Sequence, residues 1–281
     1  MTKDEGIRTV YGGGGHLVIL GAGASIAATR RNPEKNGKIL PSMDNFIDVV
    51  DLKDIVGKVP KKLRANNFEE LYSKIYENSP QSNLIKEIEE RVNAYFIGMK
   101  LPDEPTIYDY LVMSLRPKDL IATFNWDPFL YQAFSRNSHI ADMPRLAFLH
   151  GSVAIGYSKE MRRSGPAGMT HRQTLSYFEP SKLLYPVFRK NYNQDEFCQI
   201  EWNRVKLCLN DDSTKRVTIF GYGAPKSDIE AVKLLNDAWG GADKRNMEQF
   251  EIIDIRSENE VRTQWDNFIH SHHYNQWFAT N

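Results

Sequence analysis

Five short apolar runs constrain the fold of this chain more than any other feature. They are HLVILG (16–21), LIATFN (120–125), LAFLHG (146–151), RVTIFGYG (216–223) and FEIIDI (250–255). Each is close to continuous Val, Ile, Leu or Phe and does not alternate with polar residues. Strands of that kind have both faces covered, as in a parallel sheet flanked by helices. Several runs pass through glycine or small polar residues into helical patterns, at 25–30, 127–135 and 226–239. Strands alternating with helices predict a doubly wound, Rossmann-like α/β fold with a parallel sheet.

Two stretches break the rhythm. Residues about 40–115 read as a helical insertion after the first strand, from the periodic apolar positions of MDNFIDVVDL, NNFEELYSKIYE and SNLIKEIEERVNAYFIGM. Residues about 157–206 read as a polar, basic loop, then an aromatic stretch, then a helix. Both are expected to pack over the carboxyl ends of the strands, where open α/β sheets bind ligands. The whole, 1–281, reads as one domain, a size that buries its apolar surface without covalent staples. The glycines at 12–15 are expected to lead into the first strand.

Charge and cysteine content exclude several classes. Lys plus Arg and Asp plus Glu are both 36, so the formal net charge is zero. That argues against direct, surface-wide nucleic-acid binding. No apolar run reaches eighteen residues and the N-terminus lacks a signal-peptide core, so no membrane partner is expected. Cys198 and Cys208 are the only cysteines, too few for a disulfide scaffold or a four-cysteine zinc site. A reduced, cytoplasmic protein without zinc is the expectation.

The polar residues at the strand ends carry the chemistry. Gly21-Ala22-Gly23-Ala24-Ser25 closes the first strand and opens a helix, a turn in which backbone and helix N-terminus meet a phosphate. The acidic residue that usually follows about 20 positions later in a dehydrogenase is missing, because the chain enters helices there. Alternation along Thr123-Phe124-Asn125-Trp126-Asp127 is expected to put Thr123, Asn125 and Asp127 on one side. Asp127 is equally placed to cap the helix starting at Pro128. His150-Gly151 ends the third strand in the same layer, and histidine is the usual proton acceptor near neutral pH. The fourth strand runs into Gly221-Tyr222-Gly223-Ala224-Pro225-Lys226-Ser227-Asp228. Two glycines there let backbone lie against a ligand, and Ser227 or Asp228 suits a helix cap. The fifth strand ends at Asp254, suited to ribose hydroxyls or to a satisfied buried position.

In this order the segments resemble the sirtuin family, especially the zinc-less bacterial sirtuin-like proteins, over roughly residues 16 to 256. The pattern is Gly-Ala-Gly-x-Ser, Thr-x-Asn-x-Asp, His-Gly, a glycine-bearing loop and a last strand meeting adenosine. Sirtuin deacylases usually carry Gly-Ile-Pro-Asp-Phe-Arg after the first turn, where Ile39-Leu40-Pro41-Ser42-Met43-Asp44-Asn45-Phe46 stands here. They usually carry Gly-Thr-Ser where Gly221-Tyr222-Gly223 stands.

The resemblance implies NAD as substrate, held by Gly21, Ala22, Gly23, Ser25, Thr123, Gly221, Tyr222, Gly223 and Asp254. Asn125, Asp127 and His150 would be catalytic. It implies a hydrolase giving nicotinamide and ADP-ribose, an effector of anti-phage defence by NAD depletion. Control by homo-oligomerisation, or by a partner such as a DNA-translocating ATPase or an Argonaute-type protein, follows from that role. A protein deacylase, an ADP-ribosyltransferase and a non-catalytic nucleotide sensor are the alternatives. The aromatic tail with Trp265, Trp277 and Phe278 suits either an interface or a core-packed helix.

Overall fold

The computed structural model describes residues 13–29, 38–187, 195–223, 228–240, 249–265 and 273–274. Its main sheet contains β1 (Gly15–Leu20), β2 (Leu120–Thr123), β3 (Arg145–Phe148), β7 (Thr214–Phe220), β8 (Gln249–Ile253) and β9 (His273–Tyr274). They lie in the order β3-β2-β1-β7-β8-β9, every pair parallel. Counted along the sheet this is 3-2-1-4-5-6, the Rossmann arrangement, with its topological switch point between β1 and β7.

Burial explains why the apolar runs become strands. Leu17, Val18, Ile19 and Leu20 are all essentially inaccessible. Val18 and Leu20 join one core cluster while Leu17 and Ile19 join the other, so alternate side chains feed the two covered faces. The helix Glu196–Asn210 covers one face with Trp202, Val205 and Leu209. Of the two readings of Trp265, interface or core-packed helix, the structure shows the second: it is fully buried in that cluster against Phe250 and Tyr222. Trp277 and Phe278 lie outside the described residues. The first strand begins at Gly15, so the last of the four glycines belongs to the sheet.

The insertion after β1 is helical as read. It contains α-helices Phe46–Val49, Lys53–Lys58, Phe68–Asn78, Asn83–Ile97 and Ile107–Ser114. Its aromatic core, with Phe46 stacked on Phe68 at 4.0 Å, meets Trp126 edge-on through Phe46 and Phe96. Trp126 follows β2 directly, so the insertion is anchored at the carboxyl end of the sheet. The segment read as a polar loop differs: it forms a small antiparallel sheet, β4 (Ile155–Ser158), β5 (Arg163–Pro166) and β6 (Glu179–Pro180). Backbone pairing alone builds β5 from Arg-Ser-Gly-Pro, which carries no apolar alternation to read.

Helices Ile107–Ser114 and Phe129–Asn137 are locked by one carboxylate. Asp109 accepts from the amide and hydroxyl of Thr106, from Arg136 and from Asn137. Burial alone would raise its pKa, but the Arg136 bond, with Thr106 and Asn137, outweighs this and holds it at about 2. A depressed carboxylate contributes stability above its unfolded value near 4 that is lost as pH falls towards 2, here roughly 2 kcal/mol. Asp109→Asn is therefore expected to flatten the fall in melting temperature between pH 4 and 2. A melting curve as steep there as that of the parent protein would count against the assignment.

Candidate active site

The carboxyl ends of β1 and β7 flank the switch point, and their loops are pressed together. Gly21 donates its N–H to Phe220 at 3.0 Å and Gly23 to Gly221 at 3.0 Å, and Gly221 donates to Ile253. A Cβ on Gly21 would lie 2.5 Å from Gly221 O and from Tyr222 Cα. Gly221 has φ +62°, and a Cβ there would fall 2.5 Å from the Gly23 carbonyl carbon. Glycine is thus required where backbone meets backbone. Ala24 donates to the Gly21 carbonyl. Ala22 is the exposed residue of this turn, so an approaching phosphate would meet it first.

A polar network sits behind the turn. The amide of Asn125 donates to Gly21 O at 2.8 Å and to Ser25 Oγ at 2.9 Å. Ser25 Oγ donates to Asp127 Oδ2 at 2.7 Å and contacts the Tyr108 hydroxyl at 2.8 Å. The other Asp127 oxygen accepts from Phe129 N at 3.1 Å. Asp127 thus bonds the first N–H of helix Phe129–Asn137 from two residues before it, while Pro128 holds the N-cap position. Asp127 is only 5% exposed, and its two oxygens are taken up by Ser25 and the Phe129 N–H.

Burial raises Asp127 to about 6 against the opposing bonds from Ser25 and Phe129. A raised carboxylate favours the fold below pH 4 and loses that contribution as pH rises through 6. Burial, then the charge of Asp127, keeps the Tyr108 phenol protonated.

The convergence of Asn125 and Asp127 arises from a bend. β2 ends at Thr123, whose hydroxyl accepts the Asn125 N–H at 3.0 Å. Phe124 then enters one core cluster and Trp126 the other, which continued alternation would forbid. Thr123 itself is buried and makes this bend.

His150 belongs to a second group. Its ring lies edge-on to Phe124 with centroids 4.8 Å apart, and Phe124 stacks on Tyr222 at 4.0 Å. Nε2 stands 3.6 Å from Asp228 Oδ2, an oxygen that also accepts from the Tyr222 hydroxyl at 3.0 Å. The His150 carbonyl accepts from Leu184 N, and Gly151, at φ +74°, lies under the Lys182 carbonyl. The aromatic stretch after β6 is thus pinned over the His-Gly turn.

The structure therefore brings together Gly21, Ser25, Asn125 and Asp127, and separately Tyr222 and His150, on either side of Phe124–Asn125. Besides Thr123, which is 1% exposed, three residues take other positions than expected. Ser25, expected at a pyrophosphate, is 0% exposed and its hydroxyl faces Asp127, because helix Ala22–Thr29 turns that face into the core. Asp254, expected at ribose hydroxyls, is held by both Nε and a terminal nitrogen of Arg256, which hold it below the ordinary carboxylate range against the opposing effect of burial. Gly223 lies beneath that same guanidinium, 3.0 Å from where its Cβ would stand. Ser227 falls outside the described residues. Tyr108 and Asp228 are site residues that the sequence reading did not assign. Among the described residues, no group of three or more His, Cys, Asp or Glu side chains could hold a metal ion.

No family model matches the chain, and no curated protein matches it. Solved structures do. A triply substituted Sir2 homologue complexed with 2′-O-acetyl ADP ribose aligns with 14% identity over 92% of this chain and 86% of its own, TM-score 0.42. A Sir2 mutant with a p53 peptide and NAD aligns with 12% identity over 91% and 87%, TM-score 0.40. A Sir2 homolog–NAD complex aligns with 12% identity over 92% and 86%, TM-score 0.38. At these scores the fold assignment rests on the strand order, and any functional reading on the side chains of the site.

Proposed function

We propose that this chain breaks the bond between nicotinamide and ribose in NAD, passing the ribosyl carbon to water to give ADP-ribose. One observation carries the reading. At the switch point of a 3-2-1-4-5-6 sheet, a glycine turn held by Asn125 adjoins a buried histidine paired with a carboxylate. Dinucleotides bind at such a point. The fit is of backbone type: the paired glycine loops leave no side chain between them, and Ala22 faces outward.

The leaving group is a pyridinium, which takes the bonding electron pair and departs neutral. No strong general acid is required, and positive charge develops on the ribose. Asn125 has its amide N–H groups committed to Gly21 and Ser25, so its carbonyl oxygen is the group that orients a ribose hydroxyl or water. His150 takes the proton released as the water oxygen bonds to C1′. Asp127, ionised above about pH 6, supplies negative potential behind that centre through Ser25. Unchecked consumption of NAD is harmful to a cell, so self-association or a partner protein governing turnover belongs to the same proposal, as does a role in anti-phage defence.

The test is to incubate the purified chain with NAD and identify products by mass. Nicotinamide and ADP-ribose formed from NAD alone support the proposal. Nicotinamide release that requires an acylated-lysine peptide identifies a deacylase. Label passed to protein identifies a transferase. NAD that binds and stays intact, with the chain self-associated or not, overturns cleavage altogether.

A further inference from the structure

Asp228 stands at the N-cap of helix Ile229–Trp239, where an aspartate ordinarily accepts an N–H from the first turn. Its side chain makes no such bond. It is 2% exposed, and Tyr222 and His150 are both placed against its Oδ2. A carboxylate withdrawn from water and from its helix end must be compensated by the groups it faces. The imidazole is itself only 8% exposed, so the interaction is poorly screened.

We propose that Asp228 is a positioning residue for His150: it fixes the tautomer with Nε2–H directed at Oδ2 and sustains the basicity of the ring. Nδ1 then carries the lone pair. The inference rests on the reading above only in giving that lone pair a proton to take. Among the described residues, Tyr222 and Asp228 are titratable side chains placed against this group, from the loop after β7 and the head of the following helix. Burial and the neighbouring Asp228 push the Tyr222 phenol well up, so it stays protonated and donates to the carboxylate. Phe124 lies edge-on against the ring. The 3.6 Å separation is longer than a hydrogen bond, and pairs of this kind commonly tighten when substrate binds.

The experiment is an NMR titration of the ring resonances in the histidine-labelled full chain, with His150 assigned through His150→Gln. Asp228→Asn removes the charge and keeps the shape, and is expected to lower the His150 pKa by about one unit. Asp228→Glu keeps the charge and returns the value to within a few tenths of the parent. Tyr222→Phe strips a donor from the same oxygen and moves the ring the other way, upward. In NAD turnover, Asp228→Asn is expected to lose about a hundredfold in kcat, with the acid limb of the pH profile displaced to lower pH. An unchanged His150 pKa in Asp228→Asn overturns the proposal whatever turnover does, and so does a shift of the same sign in Tyr222→Phe. If the expected shifts occur and the parent protein releases no nicotinamide, the pair stands and the NAD-cleavage reading fails.

Discussion

If the chain cleaves NAD as proposed, His150→Gln is expected to lower nicotinamide release by about 10²–10⁴-fold, the usual cost of losing a placed acid/base group. Glutamine is the more telling replacement because of what surrounds the ring. His150→Ala empties the space against Phe124 and leaves Asp228 buried with one partner fewer, a defect worth roughly 1–3 kcal/mol. The alanine protein would thus lose activity and stability together. Glutamine fills most of that volume and offers Asp228 an N–H, but it cannot take up a proton. Its melting temperature should stay within a few degrees of the parent while turnover collapses, and NAD affinity measured by calorimetry should change less than about threefold. The companion Asn125→Ala behaves differently. It loses the bond to the Gly21 carbonyl, so the turn loosens and apparent affinity falls along with rate. A His150→Gln protein that turns over NAD near the parent rate would remove His150 from the chemistry.

The sheet was legible because its strands are buried on both sides. A run such as Leu17–Leu20 leaves no choice of exposed face, and each of the five runs became a parallel strand within a few residues. β9 escaped notice because an edge strand of two residues carries no pattern. The β4–β6 sheet escaped because its pairing is backbone-driven, through residues such as Gly156, Gly165 and Pro180.

The site was half legible. Strand-end position pointed to Gly21, Asn125, His150 and Gly221. Tyr108 joins Ser25 across 83 positions of sequence, from inside an insertion read only as helical. Asp228 was visible as a polar residue before an apolar helix, but caps and buried carboxylates look alike until the side chain's direction is known. Ser25 and Asp254 show the converse: residue type suggested a ligand, and a nearby Asp127 or Arg256 holds the side chain instead.

Gly221→Ala should be among the most damaging small substitutions at the described glycines. Residue 221 has φ +62°, a conformation that costs an L side chain about 1–2 kcal/mol. The added methyl would also sit 2.5 Å from the Gly23 carbonyl carbon, 2.6 Å from Gly23 Cα and closer still to Ala24 N. These are backbone atoms at the start of a helix and cannot swing aside as a side-chain tip can. Relieving the overlap means parting the β1 and β7 loops and stretching the Gly23 N–H to Gly221 O bond, worth roughly a further 1–3 kcal/mol. The sum, about 2–5 kcal/mol, corresponds to a melting temperature lower by roughly 5–15 °C for a chain of this size. Because the proposed NAD site lies at these two loops, NAD affinity is expected to weaken at temperatures where the variant is still folded. Gly57→Ala supplies the opposite sign: it lies within helix Lys53–Lys58 with nothing within 4 Å of the new methyl, and should stabilise by about 0.5–1 kcal/mol. If both alanines left the melting temperature unchanged, the loops could not be packed backbone on backbone, and the glycines at the switch point would need a different explanation.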